Sequence, residues 1–190
     1  GPNSIIRKSK KTSVEVFVDY STFSSKREYF NPAAYGLRAY WFESADVKYG
    51  LSVGFEEFLY ETDLKFYASG AAPGRFRYED SKRKGTAVRF AGNAQYFISD
   101  TLAANFSLFG ANGKTEKKGL YDSDTYTRTG LTVAFGNQWS CQDYTLRWDW
   151  LTLTYNFTFK VGDVNVLDSY PSNKNGGMIV LSGLAFGAEW

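Results

Sequence analysis

Proton-transfer chemistry near neutral pH is most easily run by imidazole, and this chain of 190 residues contains no histidine. A base would have to be a carboxylate. Glu15 and Asp19 have the best spacing for one, because four residues apart in a run of alternating apolar residues they point to one side of an extended strand. A simpler role is open to them as partners of arginines that share their phase on other strands. The single Cys141 can form no internal disulfide and reads as a small apolar side chain near a turn. No metal-ligand spacing, phosphate-cradling glycine loop or nucleophile elbow occurs. The expectation is no enzyme, no cofactor and no metal.

The elements that carry these side chains are strands. No stretch approaches 18 consecutive apolar residues, so a transmembrane helix is excluded, and none shows convincing helical periodicity. Period-2 alternation picks out eight segments: 13–23, 33–42, 47–59, 85–98, 102–113, 126–139, 144–161 and 177–190. The connectors alternate long and short, with short ones at 43–46, 99–101 and 140–143 and the longest at 60–84. That pattern suits an up-and-down barrel with tight turns at one end and extended loops at the other, and an even strand count puts both termini at the tight end.

One phase of every strand is free of charge, as in Val14, Val16 and Val18, in Leu51, Val53 and Phe55, or in Leu184, Phe186 and Ala188. Only Asn137 and Ser182 in that phase are even polar. The other phase holds five acids (Glu15, Asp19, Glu56, Asp149, Glu189), five bases (Arg38, Lys48, Arg89, Arg128, Arg147) and many Gly and Ala. A soluble barrel would turn the apolar phase inward. Eight strands enclose too little volume for so many Tyr, Trp and Phe, so the apolar phase must face lipid and the charged phase a neutralised, plugged lumen. Trp41, Tyr49, Tyr96, Trp139, Tyr144 and Trp190 lie in the apolar phase beside short turns or the C-terminus, as a girdle at the headgroup level would. Tyr20, Tyr35, Phe55 and Trp150 could form an upper girdle.

The hairpin Tyr96-Phe97-Ile98-Ser99-Asp100-Thr101-Leu102-Ala103 resembles those of small bacterial outer-membrane barrels of the outer-membrane-protein-X, outer-membrane-protein-A and opacity-protein type. The terminal Trp190, with Phe186 and Leu184 in phase, is similar to the C-terminal signal read by the barrel-assembly machinery, although Phe is the commoner last residue. The likeness covers the chain from about residue 13 and identifies a class. It implies an eight-stranded antiparallel transmembrane barrel of the outer membrane, with both termini periplasmic and the barrel-assembly machinery as a partner in biogenesis.

Residues 1–12 read as a separate lead-in, with Gly1 and Pro2 like the scar of a cleaved purification tag and Arg7, Lys8, Lys10 and Lys11 in a disordered basic tail. Residues 13–190 form the one barrel domain. A net charge of +2 without a basic stripe sets nucleic acid aside as a partner. Arg75, Arg77, Lys82, Arg83 and Lys84 could meet lipopolysaccharide phosphates at the upper membrane edge, though the favoured reading is a solvated loop in which Glu79 and Asp80 compensate them.

Beyond Trp150 the apolar phase of the seventh strand switches to Leu151, Leu153, Tyr155, Phe157 and Phe159. A bulge could restore the phase. The account without a defect is a barrel that projects beyond the bilayer, its outer face polar and its interior an aromatic cluster of Phe58, Tyr60, Phe109, Leu153, Tyr155, Phe157 and Phe159. Such a cluster would hold the projecting sheet together or form a mouth for an apolar ligand or lipid tail. The expected function is an envelope-stabilising or adhesin-like barrel acting through its outer loops on an unidentified surface partner. A narrow conduit for small apolar solutes and a histidine-free lipid-modifying enzyme are the rivals.

Overall fold

The alternating pattern builds eight strands: β1 (Thr12–Ser21), β2 (Ala33–Phe42), β3 (Val47–Glu61), β4 (Lys82–Phe97), β5 (Leu102–Thr115), β6 (Thr125–Cys141), β7 (Tyr144–Val161) and β8 (Ile179–Glu189). The computed structural model describes residues 1–21, 33–61, 66–67, 76–77, 82–117, 122–165 and 179–190. Every neighbouring pair is antiparallel, and β8 returns to β1 with Phe186 opposite Val16 and Gly187 opposite Glu15, so the sheet closes on itself. Closure leaves no open edge around the shared girth of the barrel, which lipid would not tolerate. Two-residue pieces pair outside this frame, Phe66–Tyr67 with Phe76–Arg77, and Val164–Asn165 back onto β7.

The two phases separate as the composition demands. Leu51, Phe90 and Leu108 are 60–63% exposed on the outer face, whereas Lys48, Glu56, Arg128 and Glu189 are 0–1% exposed within. Such a continuous apolar exterior has no aqueous solution state and is the surface of a protein solvated by hydrocarbon. No described helix is long and apolar enough to cross a membrane, so the strands make the crossing. Lumen glycines make room for carboxylates: a Cβ on Gly183 would sit 2.4 Å from Asp19 Oδ1, and one on Gly136 would sit 2.7 Å from Asp149 Oδ1.

Strand β7 corrects the inversion expected at Trp150. Against β6, Asp149 pairs with Gly136 and Leu151 with Phe135, so Trp150 is an extra residue; the register with β8 shifts at the same place. The bulge resets the phase. Thr152, Thr154 and Asn156 are therefore buried in the lumen, and Tyr155 and Phe157 lie about half-exposed outside, packed edge to face on each other. Without the bulge those three polar side chains would face hydrocarbon, a larger penalty than one interrupted ladder. A second bulge at Phe157 turns the strand again, and above it Phe159 and Val161 are buried while Thr158 and Lys160 face out. The reversal of polarity is real but lies seven residues later than expected.

The second correction concerns the N-terminus. Residues 2–8, expected to be disordered, form a helix, α1 (Pro2–Lys8), with Pro at its first turn, where the missing N–H costs nothing. It crosses the short-turn end of the barrel and is held by turns that belong to three different hairpins.

Candidate functional site: the charged lumen and its lid

The lumen is built in layers. At the short-turn end, α1 inserts Arg7, which is 1% exposed. Its Nε donates to Ala45 O and its Nη1 to Asp100 O, both at 2.8 Å, and its guanidinium lies 3.5 Å above the Phe97 ring. Asn3 bridges two turns, its Nδ2 donating to Asp100 Oδ2 at 2.7 Å and its Oδ1 accepting from Ser140 N at 2.8 Å. Bonds from the Asn3 side chain and the Ser4 backbone N–H hold the Asp100 carboxyl well below the usual carboxylate range. Lys10 reaches Asp143 of the third turn at 2.5 Å. Just inside, Lys48 is 3.8 Å from Glu189, ringed by Tyr40, Phe42 and Phe97, and Gln95 donates to Gln138 at 2.9 Å.

The middle layer centres on Glu15, whose Oε1 accepts from Arg38 Nε at 2.7 Å and from Arg147 Nη1 at 2.9 Å. Arg147 continues to Asp149 at 2.8 Å and to the Tyr40 hydroxyl at 3.4 Å. Arg38 stacks on Phe17. In the upper layer Glu56 receives Arg128 at 3.1 Å and the Tyr126 hydroxyl in a short hydrogen bond, and Arg128 also donates to Asn156 at 3.1 Å. The guanidinium groups of Arg89 and Arg128 lie 4.1 and 4.5 Å from the centre of the Phe109 ring, and Tyr126 meets Phe159 edge-on. Buried charges are tolerated only with partners of this quality.

All ten charges singled out from the sequence thus belong to the lumen-facing phase, and eight of them are directly ion-paired: Glu15 with Arg38 and Arg147, Arg147 with Asp149, Lys48 with Glu189, and Arg128 with Glu56. Glu15 and Asp19 do not act as a pair, since Glu15 is taken by two arginines. Sequence reasoning misses the neutral members Asn93, Asn105, Gln95, Gln138 and Asn156, although their place in the charged phase is a usable signal. It misses Arg7 because that residue reads as one of several bases in a polar tail. Among the described residues no three His, Cys, Asp or Glu side chains could hold a metal.

Trp41, Tyr49, Tyr96, Trp139, Tyr144 and Trp190 are all exposed on the outer face, 41–61%, and Trp41 pairs with Tyr49 across β2 and β3. Trp150 bends to Asn137, donating its indole N–H at 3.2 Å, while Asn137 donates to Thr101 at 3.0 Å, so this outward-phase amide is bonded. Of the expected aromatic cluster, Phe109 and Phe159 are inside, Leu153, Tyr155 and Phe157 are outside, and the side chains of Phe58 and Tyr60 lie outside the described residues. Of the basic cluster, Arg75 and the side chains of Arg77, Lys82, Arg83 and Lys84 lie outside them too.

No family model matches the chain, and no curated protein matches it in sequence. Solved structures do. The N-terminal β-barrel domain of Pseudomonas aeruginosa OprF aligns over 95% of this chain and 98% of its own at 12% identity and a TM-score of 0.52. A major outer-membrane protein from Thermus thermophilus aligns over 96% and 100% at 14% identity and a TM-score of 0.52. The Yersinia pestis outer-membrane protein Ail aligns over 95% and 99% at 16% identity with a TM-score of 0.41. With the closed register and the inverted distribution of polarity, the first two matches establish that the chain has the fold of the eight-stranded outer-membrane β-barrels.

Proposed function

We propose that this protein is a non-enzymatic integral barrel of the bacterial outer membrane, with its termini and short turns on the periplasmic side. It serves envelope integrity or surface attachment through the segments at the opposite end. The observation that carries the reading is the filled lumen. Ion-paired layers from Lys48 and Glu189 up to Glu56 and Arg128 occupy the bore, and the cavity among them is about 20 Å³, room for about one water. A pore would need those pairs parted, at several kcal/mol each.

Catalysis fits poorly with the same geometry. Glu15, Glu56 and Asp149 are each engaged by arginine, and there is no histidine to act as base. The partners we assign are outer-membrane lipid and lipopolysaccharide along the belt, the barrel-assembly machinery acting on the strand that ends at Trp190, and an external ligand of the outer loops. Single-channel recording in planar bilayers tests the filled lumen. Silence, or rare small events, is expected; steady conductance would make the protein a conduit. Unchanged lipid A masses in cells overproducing the protein are expected, and a new acylation state would make it an enzyme.

A further inference from the structure

The small cavity lies mid-lumen, above the Glu15 layer, and its wall contains unmet hydrogen-bonding groups. Asn105 donates its Nδ2 to Asp149 Oδ1 at 3.1 Å, which leaves its Oδ1 buried with no partner. Asn93 accepts from Ser107 Oγ at 2.6 Å, which leaves its Nδ2 buried with no partner. The two asparagines are 5% and 7% exposed and sit diagonally across β4 and β5, where Asn93 pairs with Ser107 and Gln95 with Asn105. Asp19 lines the same space and makes no hydrogen bond or ion pair with any described residue.

A buried acceptor, a buried donor and a carboxylate without a bonded partner among the described residues thus converge on one water-sized space. Each unmet group, left dry, would forgo a hydrogen bond that it makes to water in the unfolded chain. The amide of Asn105 cannot be turned to cure this, because turning it would set its oxygen against Asp149. The charge around the cavity also selects the guest. The wall sets Arg38, Arg89 and Arg147 against Asp19 and Asp149, and Glu15, just outside the wall and ion-paired to Arg38 and Arg147, supplies the third acid, so a neutral molecule is favoured over an ion. At about 20 Å³ the space admits a single water and no organic solute.

We propose that this cavity is an internal water site in which one water accepts from Asn93 Nδ2 and donates to Asn105 Oδ1 and to Asp19. It is a structural part of the plug and completes the hydrogen bonding where no side chain reaches. The barrel does not conduct through it, because the ion-paired layers above and below remain shut.

The test is solution NMR on the intact barrel in lipid nanodiscs, reading cross-peaks between water and the side-chain amide protons of Asn93 and Asn105. Cross-peaks with the sign of a long-lived water are expected in the wild type. In Asn105→Leu, which removes the acceptor and fills the space with methyl groups, the Asn93 cross-peak should be lost while heat-modifiable gel migration persists. No cross-peak in the wild type, the sign of rapidly exchanging bulk water, or a cross-peak that survives in Asn105→Leu would overturn the assignment. If Asn105→Leu does not fold, the wild-type spectrum decides alone, since it requires no variant.

Discussion

Leu184 and Ala185 are neighbours in the chain, yet Leu184 is 43% exposed on the outer face and Ala185 is 4% exposed in the lumen. One residue of a strand separates two solvents. Outside, the requirement is only that a side chain be apolar and long enough to meet hydrocarbon, which Val, Leu, Phe and Trp satisfy interchangeably. Inside, a side chain must match a particular partner, as Glu15 matches Arg38 and Arg147. The outer face should therefore be sensitive to the kind of residue and the lumen to its identity.

The most severe test of that contrast is Glu15→Ala. It leaves two buried guanidinium groups short of their shared carboxylate and should destabilise the barrel by about 3–5 kcal/mol, read from the urea midpoint of folding into vesicles. A loss below about 1 kcal/mol would show that lumen identity hardly matters. On the outer face Leu184→Arg should cost about 2–4 kcal/mol near the midplane by the same assay, whereas Leu184→Phe should be close to neutral. A costly Phe would mean that this position packs on something more specific than lipid.

The lid gives smaller effects. Arg7→Ala removes charge-assisted bonds to two turn carbonyls and should cost about 1–3 kcal/mol, with earlier proteolysis of α1 as a second readout. Asp100, at the rim of the barrel, marks the mildest expectation. Its folded carboxyl titrates lower than the unfolded one, so its contribution is present above the ordinary aspartate value of about 3.9 and is lost as pH falls further. Release of α1, followed by Arg7 protection, should begin below about pH 4, and Asp100→Asn should flatten that dependence. Release beginning near neutral pH would assign control of the lid to another group.

The eight strands and their two phases were legible because a period of two carries both, and a mistake of one residue would have placed charges in lipid. The two bulges were not legible by the same logic. Alternation on either side of Trp150 is perfect, and the choice between a bulge and an inverted wall depends on what surrounds the strand at that height. The decisive clue was available in Thr152, Thr154 and Asn156, three polar residues that lipid would reject. Pattern could not reveal the lid either, since α1 is only seven residues long and its anchoring groups come from turns distant in the chain. The pairing of particular acids with particular bases was likewise beyond it, because balance fixes the sum of the charges and leaves open which arginine meets which carboxylate.

The seam between β1 and β8 sets the order in which this molecule can be made. Ser13 lies opposite Glu189, so the contact that completes the cylinder joins residues separated by nearly the whole chain. Until the last strand arrives, β1 and whichever strand is newest both present bare backbone N–H and C=O groups, and hydrocarbon offers them no partner. Stepwise threading of strands into lipid is therefore uphill until the end, and the high sequence separation makes closure slow. Insertion and closure are therefore coupled, since only the complete cylinder satisfies both edges. The outward row of Leu184, Phe186 and Trp190 is the part of the apolar surface that is completed last.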